Sequence, residues 1–319
     1  MFLNILLLII GFILLIKGAD VFVDGASSTA ENFKVSKMLI GLTIIAFGTS
    51  APEFAVSVSA LASGSTDVVL GNVIGSCILN ILLILGVAAL IKPVKIKTNT
   101  VRKELPLCML ISTLLAVLFM DVTLGTSGEN SFSRGDAIAV LLFFSVFLYY
   151  LITLAYHNKE TKEKAEKPKF TLGKSIVLVL VGLVGIIVGS EMVVQNSTAI
   201  ATSIGWSERL ISLTIIAFGT SLPELVTTIV ASRKGEQDLV VGNIIGSNIF
   251  NICIVLGLPV AIFGAITPSS FQMLDIIMLV TSAVMLFIFA LTKHKISRAE
   301  GAIMLASFVA YYGAIIIMS

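Results

Sequence analysis

Long apolar runs alternate with short polar connections along the whole chain. Ten such runs can be marked, and each can cross the ~30 Å hydrocarbon core of a bilayer with some tilt. The first and the sixth runs are the longest. The ten predicted helices cover residues 2–30, 36–63, 67–91, 104–121, 135–156, 173–202, 207–232, 238–264, 272–292 and 299–317.

The longest polar connection, HNKETKEKAEKPKF at residues 157–170, divides these runs into two sets of five. The pattern predicts an all-α membrane protein with ten transmembrane helices. Its predicted parts are a first five-helix unit at 1–156, a cytoplasmic linker at 157–172 and a second five-helix unit at 173–319. The opening residues carry no basic leader and no small-residue cleavage site, so we interpret them as the first membrane helix.

Composition supports lipid as the solvent of this chain. Of its 319 residues, 57% are hydrophobic and only 13% are charged, whereas a soluble domain carries about a quarter charged residues. The net charge of +2 is too small to indicate nucleic acid. The three cysteines all fall in apolar runs without metal or redox spacing, so we expect them to be packing residues.

Lysine and arginine predict the orientation, because cytoplasmic connections are enriched in both. With the N-terminus outside, 18 of the 21 basic residues lie in the inside connections and only Arg134 and Arg209 lie in the outside ones. Lys17 falls within the first helix. We therefore predict a multi-pass protein of the cell membrane with both termini outside.

Two polar motifs recur 171 residues apart. TIIAFGTSAPE at 43–53 returns as TIIAFGTSLPE at 214–224, and GNVIGSCILNI at 71–81 returns as GNIIGSNIFNI at 242–252. About 25 of the 45 positions from Leu42 to Gly86 are identical in the second copy, which indicates an internal duplication. Since five spans is an odd number, the second copy enters the membrane inverted. Inverted repeats place their binding site near the midplane.

Glu53 and Glu224 end the first motif of each copy. A carboxylate at the centre of a membrane helix costs roughly 2.5–3.5 kcal/mol on insertion scales. Neither motif contains a lysine or arginine that could pair with it. Protons or bound cations must therefore neutralise the two groups, and the alternative is a pair of protonated glutamates that only join helices.

Proline precedes each glutamate and provides further oxygen ligands. Pro52 and Pro223 have no N–H and displace the carbonyl four residues earlier, which frees backbone oxygens at membrane depth. Polar side chains at spacings of three or four residues form a stripe along one face of each of these helices. The predicted stripes comprise Thr49, Ser50, Glu53 and Ser57; Thr220, Ser221, Glu224 and Thr228; Asn72, Ser76 and Asn80; and Asn243, Ser247 and Asn251.

This ligand set contains oxygen only. Two carboxylates with carbonyls suit Ca2+, which accepts 6–8 oxygens in a loose geometry. The hydroxyls and remaining carbonyls suit Na+. Zn2+ prefers nitrogen or sulfur, and Mg2+ requires a stricter octahedron.

The motifs GTSAPE, GTSLPE, GNVIGSCILN and GNIIGSNIFN resemble the two repeats of the sodium/calcium exchanger family within the cation/calcium exchanger superfamily, in its short prokaryotic form. The resemblance implies helices broken at the midplane and four central sites, one for Ca2+ and the others for Na+. By motif position, the implied Ca2+ ligands are Glu53 and Glu224 with the carbonyls of Thr49 and Thr220. The implied Na+ ligands are Ser50, Ser221, Ser76, Ser247 and the carbonyls of Ala46 and Ala217. Asn80 and Asn251 flank the middle position.

Asn251 departs from part of the family. Some relatives, including the potassium-dependent exchangers, carry aspartate at this position. The asparagine argues against K+ cotransport, and it leaves the stoichiometry of Na+ to Ca2+ open.

The predicted function is secondary antiport of Na+ for Ca2+ by alternating access, in the direction that extrudes Ca2+. A Ca2+/H+ exchanger is the alternative, and a cation channel is a weaker one. We expect no enzyme activity, no cofactor, no nucleic acid and no protein partner. Glycines in the first and sixth helices predict a closely packed pair that slides over the core: Gly11, Gly18, Gly182, Gly185 and Gly189.

Overall fold

The computed structural model describes residues 1–122, 130–160, 167–205, 215, 217–267 and 273–318. Its helices follow the apolar runs closely, because each run begins and ends at a polar connection. The helices are α1 Phe2–Phe33, α2 Lys37–Thr49, α3 Ala51–Ala62, α4 Thr66–Ile91, α5 Thr98–Arg102, α6 Glu104–Leu118, α7 Arg134–Glu160, α8 Leu172–Ser203, α9 Ala217–Gly219, α10 Leu222–Lys234, α11 Gln237–Phe263, α12 Met273–Lys293 and α13 Arg298–Met318.

Six of the described helices are long and apolar enough to cross a membrane, or seven if α2 and α3 together form one span. The predicted run at 207–232 lies partly outside the described residues, so only its α9 and α10 portion is seen. The chain is therefore a predominantly helical, multi-pass membrane protein.

The helix predicted at 36–63 is broken at Ser50. Its backbone leaves helical geometry there (φ −83°, ψ 5°), and α2 and α3 meet at 44°. The same break occurs at Ser221 (φ −90°, ψ 6°), immediately before α10. In both places a proline occupies the first turn of the following helix, where its missing N–H is tolerated. Each glutamate thus lies in the first turn of a new helix.

The helices α4 and α11 each contain a π-helical segment that starts at an asparagine. The segments are Asn80–Leu85 and Asn251–Leu256, and their first residues are related by the 171-residue repeat. A π-helical turn closes one residue later than an α-helical turn, which redirects the side chains that follow. Such turns are frequent at functional sites.

The helices α1 and α8 pack against each other through their glycines. A Cβ added to Gly182 would come within 2.5 Å of the Phe22 backbone nitrogen, and one added to Gly189 would come within 2.5 Å of the Leu15 nitrogen. A Cβ at Gly18 would meet the Gly185 carbonyl carbon at 2.8 Å. The predicted close pair is confirmed. Gly48 of α2 faces side chains of this pair and not their backbones: a Cβ there would lie 3.0 Å from Leu183 Cδ1 and 3.5 Å from Phe22 Cζ.

The basic connections meet on one face of the molecule, here called the basic face. Strand β1 (Val94–Lys95), after α4, pairs antiparallel with strand β2 (Lys295–Ile296), after α12. The ion pair Lys97–Asp238, at 2.6 Å, joins the connections before α5 and α11. A second pair, Lys37–Glu236 at 2.9 Å, joins those before α2 and α11.

Two further connections meet elsewhere. Phe132, before α7, pairs through its backbone with Ile266, after α11. The all-α fold class predicted from the sequence agrees with this mostly helical structure, to which β1 and β2 add two residues each. Two-residue strands are too short to leave a period in the sequence.

Candidate cation-binding site

Each glutamate of the repeated motif is held by a serine of the other copy. Ser50 Oγ donates to Glu224 Oε1 at 3.0 Å, and Ser221 Oγ donates to Glu53 Oε1 at 3.2 Å. Because each serine lies at a helix break and each glutamate lies in the first turn after one, the two breaks face each other. The structure thus brings the two predicted carboxylates into one site.

Both glutamates are completely buried. Among the described residues, Glu53 Oε2 and Glu224 Oε2 have no hydrogen-bond partner. A buried polar group without a partner costs about 1–3 kcal/mol, and a charged one costs more. The two free oxygens therefore mark a place where a cation or proton would stabilise the protein.

Buried hydroxyls and amides extend the site into α4 and α11. Ser221 Oγ also lies 3.2 Å from Ser76 Oγ. Thr49 Oγ1 donates to Asn243 Oδ1 at 3.3 Å, and Ser247 Oγ lies 3.5 Å from the same amide oxygen. The predicted ligands Thr49, Ser76 and Ser247 are therefore all brought to the site.

Asn80 and Asn251, the first residues of the two π-helical segments, are also buried. Asn80 Nδ2 donates to Asn248 Oδ1 at 3.0 Å. Within the described part of the chain, Asn80 Oδ1 and both polar side-chain atoms of Asn251 have no partner. Uncommitted amide oxygens at this depth are available to a cation.

The remaining predicted ligands contribute backbone oxygens. The Ala46 carbonyl accepts from the Ser50 N–H at 3.1 Å and from Thr49 Oγ1 at 3.5 Å. Pro52 has no N–H, so the helical hydrogen bond to the Gly48 carbonyl cannot form. Thr220 is half-buried beside the break at Ser221. Ala217 begins α9.

Asn72 and Asn243 form hydrogen bonds that hold the helices of the site together. Asn72 Nδ2 donates to the Glu53 carbonyl at 3.0 Å and to Ser57 Oγ at 3.1 Å. Asn243 Nδ2 donates to Thr228 Oγ1 at 3.1 Å. Their stripes were predicted to face the glutamate stripes, and these bonds confirm it. Their amide donors are committed to protein atoms, so their role is to position the helices that carry the glutamates.

Asn248 is the site residue that sequence reasoning missed. It has no polar counterpart in the first copy, because the 171-residue shift matches it to Cys77. A repeated polar position therefore does not mark it. The signal that the sequence does carry is an asparagine directly after Ser247 within the repeated motif.

The assembled site can bind hard cations. It offers two carboxylates, hydroxyls, amide oxygens and backbone carbonyls, all from residues enclosed by helices. Carboxylate and neutral oxygens are the ligands that Ca2+ and Na+ accept, and imidazole or thiolate ligands play no part in the contacts described here.

Comparisons with known proteins agree with this chemistry. The family model described as sodium/calcium exchanger protein matches residues 3–153 and 174–317. The sodium/calcium exchanger MaX1 of Methanosarcina acetivorans is 31% identical over 97% of both chains. A more distant relative, the Ca(2+)/H(+) antiporter ChaA of Bacillus subtilis, is 25% identical over 84% of this chain and 80% of its own. The solved structure of the sodium-calcium exchanger NCX_Mj, soaked with 10 mM Na+ and zero Ca2+, superposes with a TM-score of 0.84 and 32% identity over 97% of both chains.

Proposed function

Since this chain belongs to the sodium/calcium exchanger protein family, we propose that it exchanges Na+ for Ca2+ across the cell membrane by alternating access. It is an antiporter, as its relatives are. The observation that carries the choice of ions is the pair of buried glutamates, each with one oxygen bound by a serine and the other without a partner. Their charge calls for cations, and their surroundings supply only oxygen.

The proposed architecture is ten spans in two inverted repeats of five. The contacts between connections support this architecture. Ten spans would place four connections on one side of the membrane: the one before α2 and those after α4, α10 and α12. These connections are joined by the strand pair and the ion pairs of the basic face. The connections before α7 and after α11 fall on the other side and pair through Phe132 and Ile266.

The basic face is the cytoplasmic face in this proposal, because lysine and arginine are retained on that side. Both termini then lie outside. An inward Na+ gradient across the cell membrane would drive Ca2+ outward, so extrusion of Ca2+ is the proposed direction.

Within the site, Ca2+ is assigned to Glu53 and Glu224. Their unpartnered oxygens supply the charge, and the carbonyls of Thr49 and Thr220 complete the inner ligands. Na+ is assigned to the neighbouring hydroxyls and carbonyls, those of Ser50, Ser221, Ser76, Ser247, Ala46 and Ala217. Asn80 and Asn251 lie at the middle position, where two neutral amides contribute no charge.

Competition for the two carboxylates links the fluxes. Either Ca2+ or Na+ can balance their charge, but a full set of both would leave an excess of positive charge in a buried site.

Sliding of the α1–α8 pair over the core would expose the loaded site to one face and then to the other. The backbone-to-backbone glycine contacts that join α1 to α8 support their movement as one pair.

Coupling to protons is the second candidate, because ChaA is named as a Ca2+/H+ antiporter and buried glutamates relay protons in other transporters. Ca2+ flux into sealed vesicles separates the possibilities. Na+/Ca2+ exchange requires a Na+ gradient and persists when the pH gradient is collapsed by an ionophore. Flux driven by pH alone would identify proton coupling, and flux without any counter-ion would identify a channel.

A further inference from the structure

A charged cluster joins α1 to the rest of the protein on the basic face. Lys234, at the end of α10, forms ion pairs with Asp20 at 2.8 Å and with Asp24 at 2.7 Å. Its ammonium group also donates to the Asp20 backbone carbonyl at 2.7 Å. One lysine thus binds two successive turns of α1.

A second group of contacts lies one turn further along α1. Lys37, at the start of α2, pairs with Glu31 at 3.3 Å and with Glu236 at 2.9 Å. Ser27 Oγ donates to Glu236 Oε1 at 3.0 Å. We call these seven residues the latch: Asp20, Asp24, Ser27 and Glu31 of α1, with Lys37, Lys234 and Glu236.

The latch is partly shielded from solvent. The side chains of Lys37 and Lys234 are 23% and 25% exposed and that of Glu31 is 13% exposed, whereas Asp20, at the edge of the latch, is 51% exposed. Charges in such positions attract each other more strongly than fully exposed pairs, and separating them leaves partly buried charges uncompensated. Lys169, which precedes α8, adds a bond to Asp24 at 2.8 Å. That bond and the charge of Asp24 raise the pKa of Lys169.

Among the described residues, the latch is not repeated at the opposite end of the molecule: Asp20 corresponds to the acidic Glu191, but the lysine that binds Asp20 does not recur. The 171-residue shift matches Lys234 to Ser63, Glu236 to Ser65 and Asp24 to Gln195. Ser63 Oγ donates to the Ala60 carbonyl at 2.9 Å, within its own helical turn. Gln195 donates to Glu191 at 3.0 Å, also within one helix. Within the described residues, a lysine of the second copy therefore binds two carboxylates of α1, whereas the equivalent position of the first copy is a serine.

We propose that the latch is a one-sided conformational clamp that holds α1 against α2 and α10 and stabilises the state closed at the basic face. This inference rests on the proposed exchange mechanism. A protein that favours this state binds ions from the basic face only in the fraction of molecules that have opened there. The apparent affinity at that face falls in proportion to this fraction. The latch therefore sets the difference in apparent Ca2+ affinity between the two faces.

Flux measurements from both faces test the clamp. Lys234→Gln and Asp24→Asn should each lower the half-saturating Ca2+ concentration at the basic face and raise it at the other, changing their ratio threefold or more. Inside-out and right-side-out vesicles give the two values. Lys97→Gln is the matched control, because it breaks an ion pair of the same face that does not involve α1. An unchanged ratio in both latch variants, or an equal change in the control, would overturn the proposal.

The reverse substitution adds an independent test. Ser63→Lys with Gln195→Asp introduces the two latch charges at the positions that the 171-residue shift makes equivalent, where Glu191 already stands in the place of Asp20. The clamp predicts that the affinity ratio shifts in the opposite direction. A shift in the same direction as that of Lys234→Gln would contradict it.

A cross-linking measurement does not depend on transport. Ser27→Cys with Glu236→Cys replaces two latch partners whose side chains touch, and copper phenanthroline with oxygen oxidises the thiols to a disulfide. The native cysteines are buried and do not interfere. Lys234→Gln should slow cross-linking at least threefold, and an equal rate would refute the clamp. Slower cross-linking in a protein without Na+-dependent flux would support the clamp and reject the proposed function.

Discussion

Asn248 and Cys77 occupy equivalent positions of the two sequence repeats, and they contact each other directly. Asn248 Nδ2 donates to the Cys77 carbonyl at 3.3 Å, and Cys77 Sγ donates to the Asn248 carbonyl at 3.8 Å. Contact between a position and its own counterpart is what a two-fold axis between two copies produces, as in an isologous interface. Asn248 also accepts from Asn80, so this contact lies beside the site.

Removal of the Asn248 side chain should disturb both its contact with Cys77 and the site. Asn248→Ala leaves the Asn80 amide without its acceptor, and a buried unpaired group costs about 1–3 kcal/mol. We expect a lower melting temperature and a half-saturating Ca2+ concentration raised about tenfold or more. Asn196→Ala is the control, since the hydrogen bond that Asn196 donates among the described residues goes to Met192 of its own helix. Normal flux in Asn248→Ala would show that Asn80 needs no partner.

Neutralising either glutamate should abolish Na+-dependent Ca2+ flux without unfolding the protein. Glu53→Gln and Glu224→Gln keep the shape of the side chain but remove the charge that binds the cation. Each also removes an insertion cost of roughly 2.5–3.5 kcal/mol, so the melting temperature should hold or rise. Vesicle flux and thermal denaturation measure the two effects. Glu191→Gln, at an exposed glutamate of α8, should exchange normally, and full activity in either site variant would refute the site.

The two serines at the helix breaks should act through the glutamate of the other repeat. Ser50→Ala and Ser221→Ala each remove one hydrogen bond to a buried carboxylate, a loss of about 1.5–3 kcal/mol. Both should weaken Ca2+ binding about tenfold or more. Ser50→Ala should have little further effect in a Glu224→Gln background, because the two residues act as a unit. Ser59→Ala, on the exposed side of α3, serves as the control.

The close contact of α1 with α8 should not tolerate a methyl group. In Gly182→Ala the new Cβ would lie 2.5 Å from the Phe22 nitrogen, which forces the helix backbones apart. We expect a destabilisation of about 1–3 kcal/mol, measured by thermal denaturation. Gly173→Ala, near the start of the same helix, has open space around it and should be neutral or stabilising.

Joining α1 covalently to the core should stop exchange. A fully oxidised Ser27→Cys, Glu236→Cys protein fixes the helix that the mechanism requires to slide. Flux should fall to background and return when a reductant cleaves the disulfide. Unimpaired flux in a completely cross-linked sample would exclude the sliding mechanism.

Much of this structure follows from the sequence because its main signals are periodic. Where the structure describes the chain, the apolar runs predicted the long helices to within a few residues, and the repeat predicted that Glu53 and Glu224 share a site. Proline at the second position of α3 and of α10 predicted the helix breaks. Spaced glycines predicted the contact of α1 with α8.

What the sequence did not predict depends on contacts between distant residues. Asn248 lacks a polar counterpart, so no repeat marks it. Glu104, buried near the start of α6, accepts a hydrogen bond from Tyr150 of α7, and neither residue stands in a motif. The latch arises from ion pairs between residues up to 214 positions apart. Pairings of this kind leave no period in the chain.

The crossed serine–glutamate bonds have a consequence for the history of the chain. After a gene duplicates, one copy is ordinarily free to diverge while the other keeps the original role. Here Ser50 completes the environment of Glu224, and Ser221 completes that of Glu53. A mutation in either copy therefore alters the ligand that the other one presents. Neither copy can therefore diverge independently of the other, and selection must act on the two as one unit.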